Sequence, residues 1–114
     1  MRDDVKASVR KRDSVAIIDM KGEVTSFADE MINSLVNATV DEGFQKIVFN
    51  FSDVSYINSS GIAVLIGIVT GLASRGIAFK VYGLTPHFKK IFRMIGLTQY
   101  VKVLGSEEDA LAAF

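Results

Sequence analysis

Short β-branched or aromatic runs alternate with longer segments of helical period along most of the chain, and this alternation limits the fold more than any other feature. A helix-length insert between two strands lets the second run parallel to the first, and right-handed crossovers then gather the strands into one sheet. The first two runs are the exception. Val5, Ala7 and Val9 alternate with Lys6, Ser8 and Arg10, as an edge strand with one buried face would, and the polar turn Lys11 to Ser14 is short enough for "VAIIDM", Val15 to Met20, to pair back antiparallel.

Further along, Gly22 is expected to end the second strand, and Ser26 with Asp29 resembles a capping box for a helix carrying Ala28, Met31, Ile32, Leu35 and Val36. Gly43 stops that helix. "KIVFNF", Lys46 to Phe51, reads as a central strand, followed by a loop "SDVSYI" and an apolar helix that runs to about Ser74. "SRG" then supplies a cation for the last turn and a glycine to leave it. "IAFKVYG" is the next strand. Thr85-Pro86 opens a helix bearing Phe88, Ile91, Phe92 and Ile95, which Gly96 closes. Tyr100 to Leu104 forms a last strand, and Ser106 with Asp109 caps a final helix reaching Phe114. The expected architecture is therefore α/β. It has a mixed sheet of about five strands, with an antiparallel N-terminal hairpin and later strands parallel, and about four helices. At 114 residues this is one domain over 1–114, with its core at about 5–113.

Composition excludes several functions. Thirteen basic residues balance thirteen acidic ones, which removes the electrostatic reason to expect nucleic acid or an anionic membrane as a partner. Without cysteine there is no thiolate metal site, and with His87 as the one histidine there is no multi-histidine site, so no cofactor is expected. The apolar run Ile62 to Ala73 falls well short of the roughly 20 residues that span a bilayer. "MRDDVKASVRKRD" alternates charges where an export signal needs a continuous apolar segment, so a cytoplasmic location is expected.

Asn58-Ser59-Ser60-Gly61 stands where the apolar helix begins. Any of its three polar residues can cap that helix, a contribution of about 1 kcal/mol. The same position suits a phosphate, because a helix N-terminus offers free donors and a partial positive charge. Catalysis is not expected: a serine nucleophile needs a base, His87 sits near the start of another helix, and neither a G-x-S-x-G elbow nor a P-loop spacing is present. On the apolar helix, Ile62, Leu65, Ile66, Val69 and Leu72 form a stripe for the sheet, while Val64, Ile68 and Gly71 fall off it. Other helices or a partner protein must cover that remainder. Lys89, Lys90 and Arg93 form a basic cluster suited either to solvent or to an acidic or phosphate-bearing partner.

"VSYINSSGIAVLIG", with the upstream "KIVFNF", the turn "KGEV" at Lys21 to Val24 and the downstream "PHFKKIFRMIGL", resembles the STAS domain, specifically the anti-sigma factor antagonists of bacteria. The likeness in order and spacing covers about Val5 to Ala113. It implies a protein-binding regulator, not an enzyme, that associates with an anti-sigma factor acting as a serine kinase of the histidine-kinase-like ATPase type. It implies Ser59 as the phosphorylated residue, with Thr25, Asn58, Ser60, Gly61 and Ile62 bordering the contact. A weak homodimer is compatible with it. The chain departs from the family in having Asn58 and Thr25 where antagonists carry acidic residues. Both changes remove negative charge beside the hydroxyl, which leaves a slow substrate, a substrate of a divergent kinase, and binding without phosphorylation as alternatives. STAS modules that bind a nucleotide or lipid, or serve as unphosphorylated scaffolds, are the rival reading; a chain that starts with Met and ends just past the domain favours a stand-alone regulator over a transporter fragment.

Overall fold

The computed structural model describes residues 5–114; the first four residues of the charged N-terminal stretch, and with them part of the export-signal reading, lie outside the described residues. Five strands form one sheet in the order β1 (Lys6–Arg12), β2 (Val15–Val24), β3 (Lys46–Ile57), β4 (Ala78–Tyr82) and β5 (Lys102–Leu104). β1 and β2 pair antiparallel, turning through Asp13 at φ 55, and every later neighbour is parallel. The connections between the parallel strands are α1 (Ala28–Asp41), α2 (Ser59–Ser74) and α3 (Pro86–Met94), the last continued by a short 3-10 turn at Leu97–Gln99.

These three helices cover one face of the sheet. Ile18, Met20, Ile47, Phe49 and Val81 point into that layer, where Ile32 and Val36 of α1, Leu65 and Leu72 of α2, and Phe88 and Phe92 of α3 meet them. α3 is set as its sequence proposes: Thr85 Oγ1 accepts from the Phe88 amide at 3.1 Å, and Pro86 occupies the first turn. α4 (Glu107–Ala112) lies alone on the opposite face, over Val15, Ile17, Val48 and Tyr82.

Several boundaries differ from the sequence reading. β2 does not stop at Gly22: it passes through that residue at φ 98 and continues to Val24. The segment read as a loop, "SDVSYI", is the second half of β3 and pairs with this extension, Lys21 opposite Asp53 and Val24 opposite Ile57, with register shifts on the way. Neither half shows clean alternation because bulges reset the face on which each side chain emerges. Ser26 does not cap α1. The turn is built by Thr25, whose Oγ1 accepts from the Phe27 amide at 3.3 Å and whose carbonyl accepts from Ala28 at 3.0 Å. Arg75 lies just beyond the last turn of α2, where its guanidinium donates to Asn37 Oδ1 at 2.8 Å. β5 begins at Lys102, since Leu97–Gln99 and Tyr100 belong to the preceding 3-10 turn.

A polar row crosses the α4 side of the sheet. Arg10 donates to both carboxylate oxygens of Asp19 and to Glu107, Asn50 donates to Asp19 at 2.7 Å, and Tyr82 donates to Glu107 at 3.0 Å. Arg12 adds bonds to Glu107 and Glu108. The Arg10 hydrogen bond, more than the opposing effect of burial, holds Glu107 down at about 2, and the same guanidinium lowers Asp19. A carboxylate whose folded pKa is depressed stabilises the fold above its unfolded value and loses that contribution as pH falls through the folded one. Thermal unfolding followed from neutral pH downward should therefore show a fall in Tm beginning near pH 4.5 and continuing toward about 2. Glu107→Gln should flatten the part of that fall due to this residue; an unchanged acid profile would count against the network.

Candidate functional site

β3 delivers its last buried side chain, Ile57, and then turns directly into α2. Asn58 makes that turn in an extended conformation, φ −95 and ψ −180, and its Oδ1 accepts from the Gly61 amide at 2.8 Å. Its carbonyl accepts from Ile62 at 2.9 Å, so it anchors the first turn of the helix twice. The Asn58 amide in turn donates to the Val24 carbonyl at 3.3 Å, tying the start of α2 to the end of β2.

Gly61 seats against that same carbonyl. A Cβ on Gly61 would lie 1.9 Å from the Val24 oxygen and 3.2 Å from the Thr25 nitrogen, so the helix meets β2 backbone to backbone. Thr25 is itself buried. The strands β2 and β3 and the helix α2 thus converge on a fixed platform formed by Val24, Thr25, Asn58 and Gly61. Ser59 and Ser60, the first two residues of α2, are exposed on its rim. Ile62 is half-buried and packs against the core.

Of the residues the sequence singles out, Thr25, Asn58 and Gly61 are brought together through one backbone carbonyl, and Ser59 and Ser60 share the open edge. Asn58 is the cap among the three polar candidates. Gly61 faces β2 and is buried, so the close approach it permits is to a neighbouring strand of its own chain. The first turn of α2 holds no acidic side chain. Sequence reasoning missed Val24, whose role is carried by a main-chain oxygen that no residue type announces. It also passed over Phe27, 66% exposed beside Thr25, and it set Met31 on the apolar repeat of α1, where the structure leaves it 46% exposed; "TSFAD" offered the Phe as a signal, obscured by the capping reading of Ser26.

The buried face of α2 also needs correction. Gly61, Leu65, Ile68, Val69 and Leu72 are buried, whereas Ile66, assigned to the sheet-facing stripe, is 37% exposed, and Ile68, assigned off it, is in the core. A helix apolar on all sides gives periodicity no contrast to read.

His87 is exposed on α3 beside the Phe88 ring, and among the described residues no cluster of three or more His, Cys, Asp or Glu could hold a metal ion. No helix among them is long and apolar enough to cross a membrane.

The STAS domain profile matches residues 6–110, nearly all of the chain. The chain belongs to the STAS domain family. Within that family it is similar to BtrV of Bordetella bronchiseptica, described as an anti-sigma factor antagonist, at 28% identity over 110 residues, 96% of this chain and 95% of BtrV. Two solved structures share the STAS fold seen here. An anti-sigma factor antagonist from Mycobacterium paratuberculosis superposes with a TM-score of 0.81 at 19% identity, covering 96% of this chain and 93% of that one. The Bacillus cell fate determinant SpoIIAA in its phosphorylated form gives 0.71 at 22% identity, covering 95% and 98%. The mixed five-stranded sheet with an antiparallel first pair is the STAS architecture of this chain as well.

Proposed function

We propose that this STAS domain is an anti-sigma factor antagonist of the bacterial cytoplasm. It binds an anti-sigma factor of the histidine-kinase-like ATPase type through the α2 rim and is released when that kinase phosphorylates Ser59. The observation that carries the reading is the position of Ser59: an exposed hydroxyl on the first residue of α2, next to an Asn58 and a Gly61 that are locked to β2. A phosphate there adds about −1.5 to −2 charges and lies at the positive end of a helix, so it changes the rim without opposing the fold. Thr25, Asn58, Ser60, Gly61 and Ile62 border the contact. The names of the relatives support the partner class, and SpoIIAA, which shares the fold, exists in a phosphorylated form.

The missing carboxylate has a physical consequence. Asn58 holds the helix cap with one oxygen but carries no charge beside the acceptor hydroxyl, so transfer should be slow. Asn58→Asp keeps an oxygen for the Gly61 amide and adds the charge. Incubation with ATP and the cognate kinase should place one phosphate on Ser59 by mass spectrometry, faster in Asn58→Asp, with Ser60→Ala still modified. Ser59→Asp should weaken binding at least about tenfold, on the order of 1.4 kcal/mol. The switch is wrong if Ser59 acquires no phosphate in either protein and Ser59→Asp binds as tightly as the native chain.

A further inference from the structure

We propose that the outer surface of the three-helix layer is where two copies of this chain associate, α1 of each copy lying against α3 of the other. The inference rests on how charge is distributed across that layer and does not depend on the phosphorylation reading. α1 carries Asp29, Glu30 and Asp41 and neither lysine nor arginine; α3 carries Lys89, Lys90 and Arg93 and no acid. α2, between them, has no charged residue along its 16 positions. All six charges are exposed, and none has an ion-pair partner among the described residues. On the α4 side of the sheet Arg10, Arg12, Asp19, Glu107 and Glu108 are paired within the chain, with Asp109 of α4 left outside that network.

A neutral molecule has thereby been given a helical face that is acidic on one flank, uncharged in the middle and basic on the other. Such a face is complementary to itself. A two-fold axis lying in the interface and parallel to α2 exchanges the flanks while keeping helix direction, so α1 meets α3 of the second copy and α2 meets α2. An in-plane axis perpendicular to α2 would set acid on acid and base on base, which charge repulsion disfavours. The central contact suits close approach: Ala63, Gly67 and Thr70 are short, exposed residues, Ile66 adds an apolar side chain, and the nearest charge, Arg75, lies just beyond the last turn of α2, bonded to Asn37. The helices have 14, 16 and 9 residues and are about 21, 24 and 14 Å long; strips about 10 Å wide give roughly 600 Å² per copy, below the ~800 Å² of an ordinary stable interface and in keeping with a weak, micromolar dimer.

Sedimentation of the purified chain over a concentration series tests this. The native protein should dimerise in the micromolar range, with an affinity that falls about tenfold or more as salt rises from about 0.05 to 0.5 M. Two reversed forms then decide the geometry: one with Lys89→Glu, Lys90→Glu and Arg93→Glu, the other with Asp29→Lys, Glu30→Lys and Asp41→Lys. Each alone should be monomeric, because its two flanks now carry one sign. Mixed, they should form a 1:1 dimer, since acidic flanks again face basic ones. The single reversals Lys90→Glu and Glu30→Lys provide a second pair should a triple form fold poorly. A native chain that stays monomeric up to about 1 mM, a dimer indifferent to the reversals, or reversed forms that fail to pair when mixed would each overturn the proposal.

Discussion

Gly61→Ala is expected to lower the unfolding free energy by about 3 kcal/mol, although alanine is the better helix former. The added methyl would sit 1.9 Å from the Val24 oxygen and 2.6 Å from its carbonyl carbon. Both are main-chain atoms of β2 where it is paired with β3, Val24 opposite Ile57, so neither can step aside as a flexible side chain would. Relief requires α2 to lift from β2. That would stretch the bond from the Asn58 amide to Val24 and displace Ser59, so binding to the partner should weaken together with stability. Gly67 in the same helix is the internal control: a Cβ there meets nothing within 4 Å, and Gly67→Ala should stabilise by about 0.5–1 kcal/mol. Urea denaturation of the two variants should give opposite signs. Equal effects would mean that the start of α2 is not seated on the strand.

Phe92→Ala should be the most damaging single truncation, at about 4 kcal/mol. The ring is 2% exposed and meets Phe51 edge-on, with centroids 5.7 Å apart and planes at 88°. It also lines a small apolar void with Met20, Leu65 and Ile68, so the space left by the ring adds to a gap already present. The surrounding side chains reach into that gap from a rigid sheet and two other helices, which leaves little freedom to collapse. Equilibrium denaturation checks the value; a loss below about 1.5 kcal/mol would show that α3 contributes little to the core.

Legibility followed the contrast available at each element. The start and buried face of α3 were readable because its apolar positions stand against Lys89, Lys90 and Arg93 and its first turn opens with Thr85-Pro86, although Ile95, read as its last apolar position, is the C-cap and is 38% exposed. The hairpin was readable because Val5, Ala7 and Val9 alternate with polar neighbours. The α2 cap was read as one of three candidates, and geometry selected Asn58. The extension shared by β2 and β3 was lost because its pairing is non-local and its bulges break the alternation.

The residues alone determined the order of elements, the parallel sense of the later strands and the placement of two hydroxyls at the start of an apolar helix. These rest on periodicity, turn chemistry and crossover handedness, which act within a few dozen residues. Tertiary structure decided which side of α2 is buried, that β2 and β3 run on past the sheet as a pair, and that Gly61 closes on the Val24 carbonyl. Those outcomes depend on where backbone atoms from distant segments come to rest against one another, and a main-chain oxygen carries no residue-specific signature.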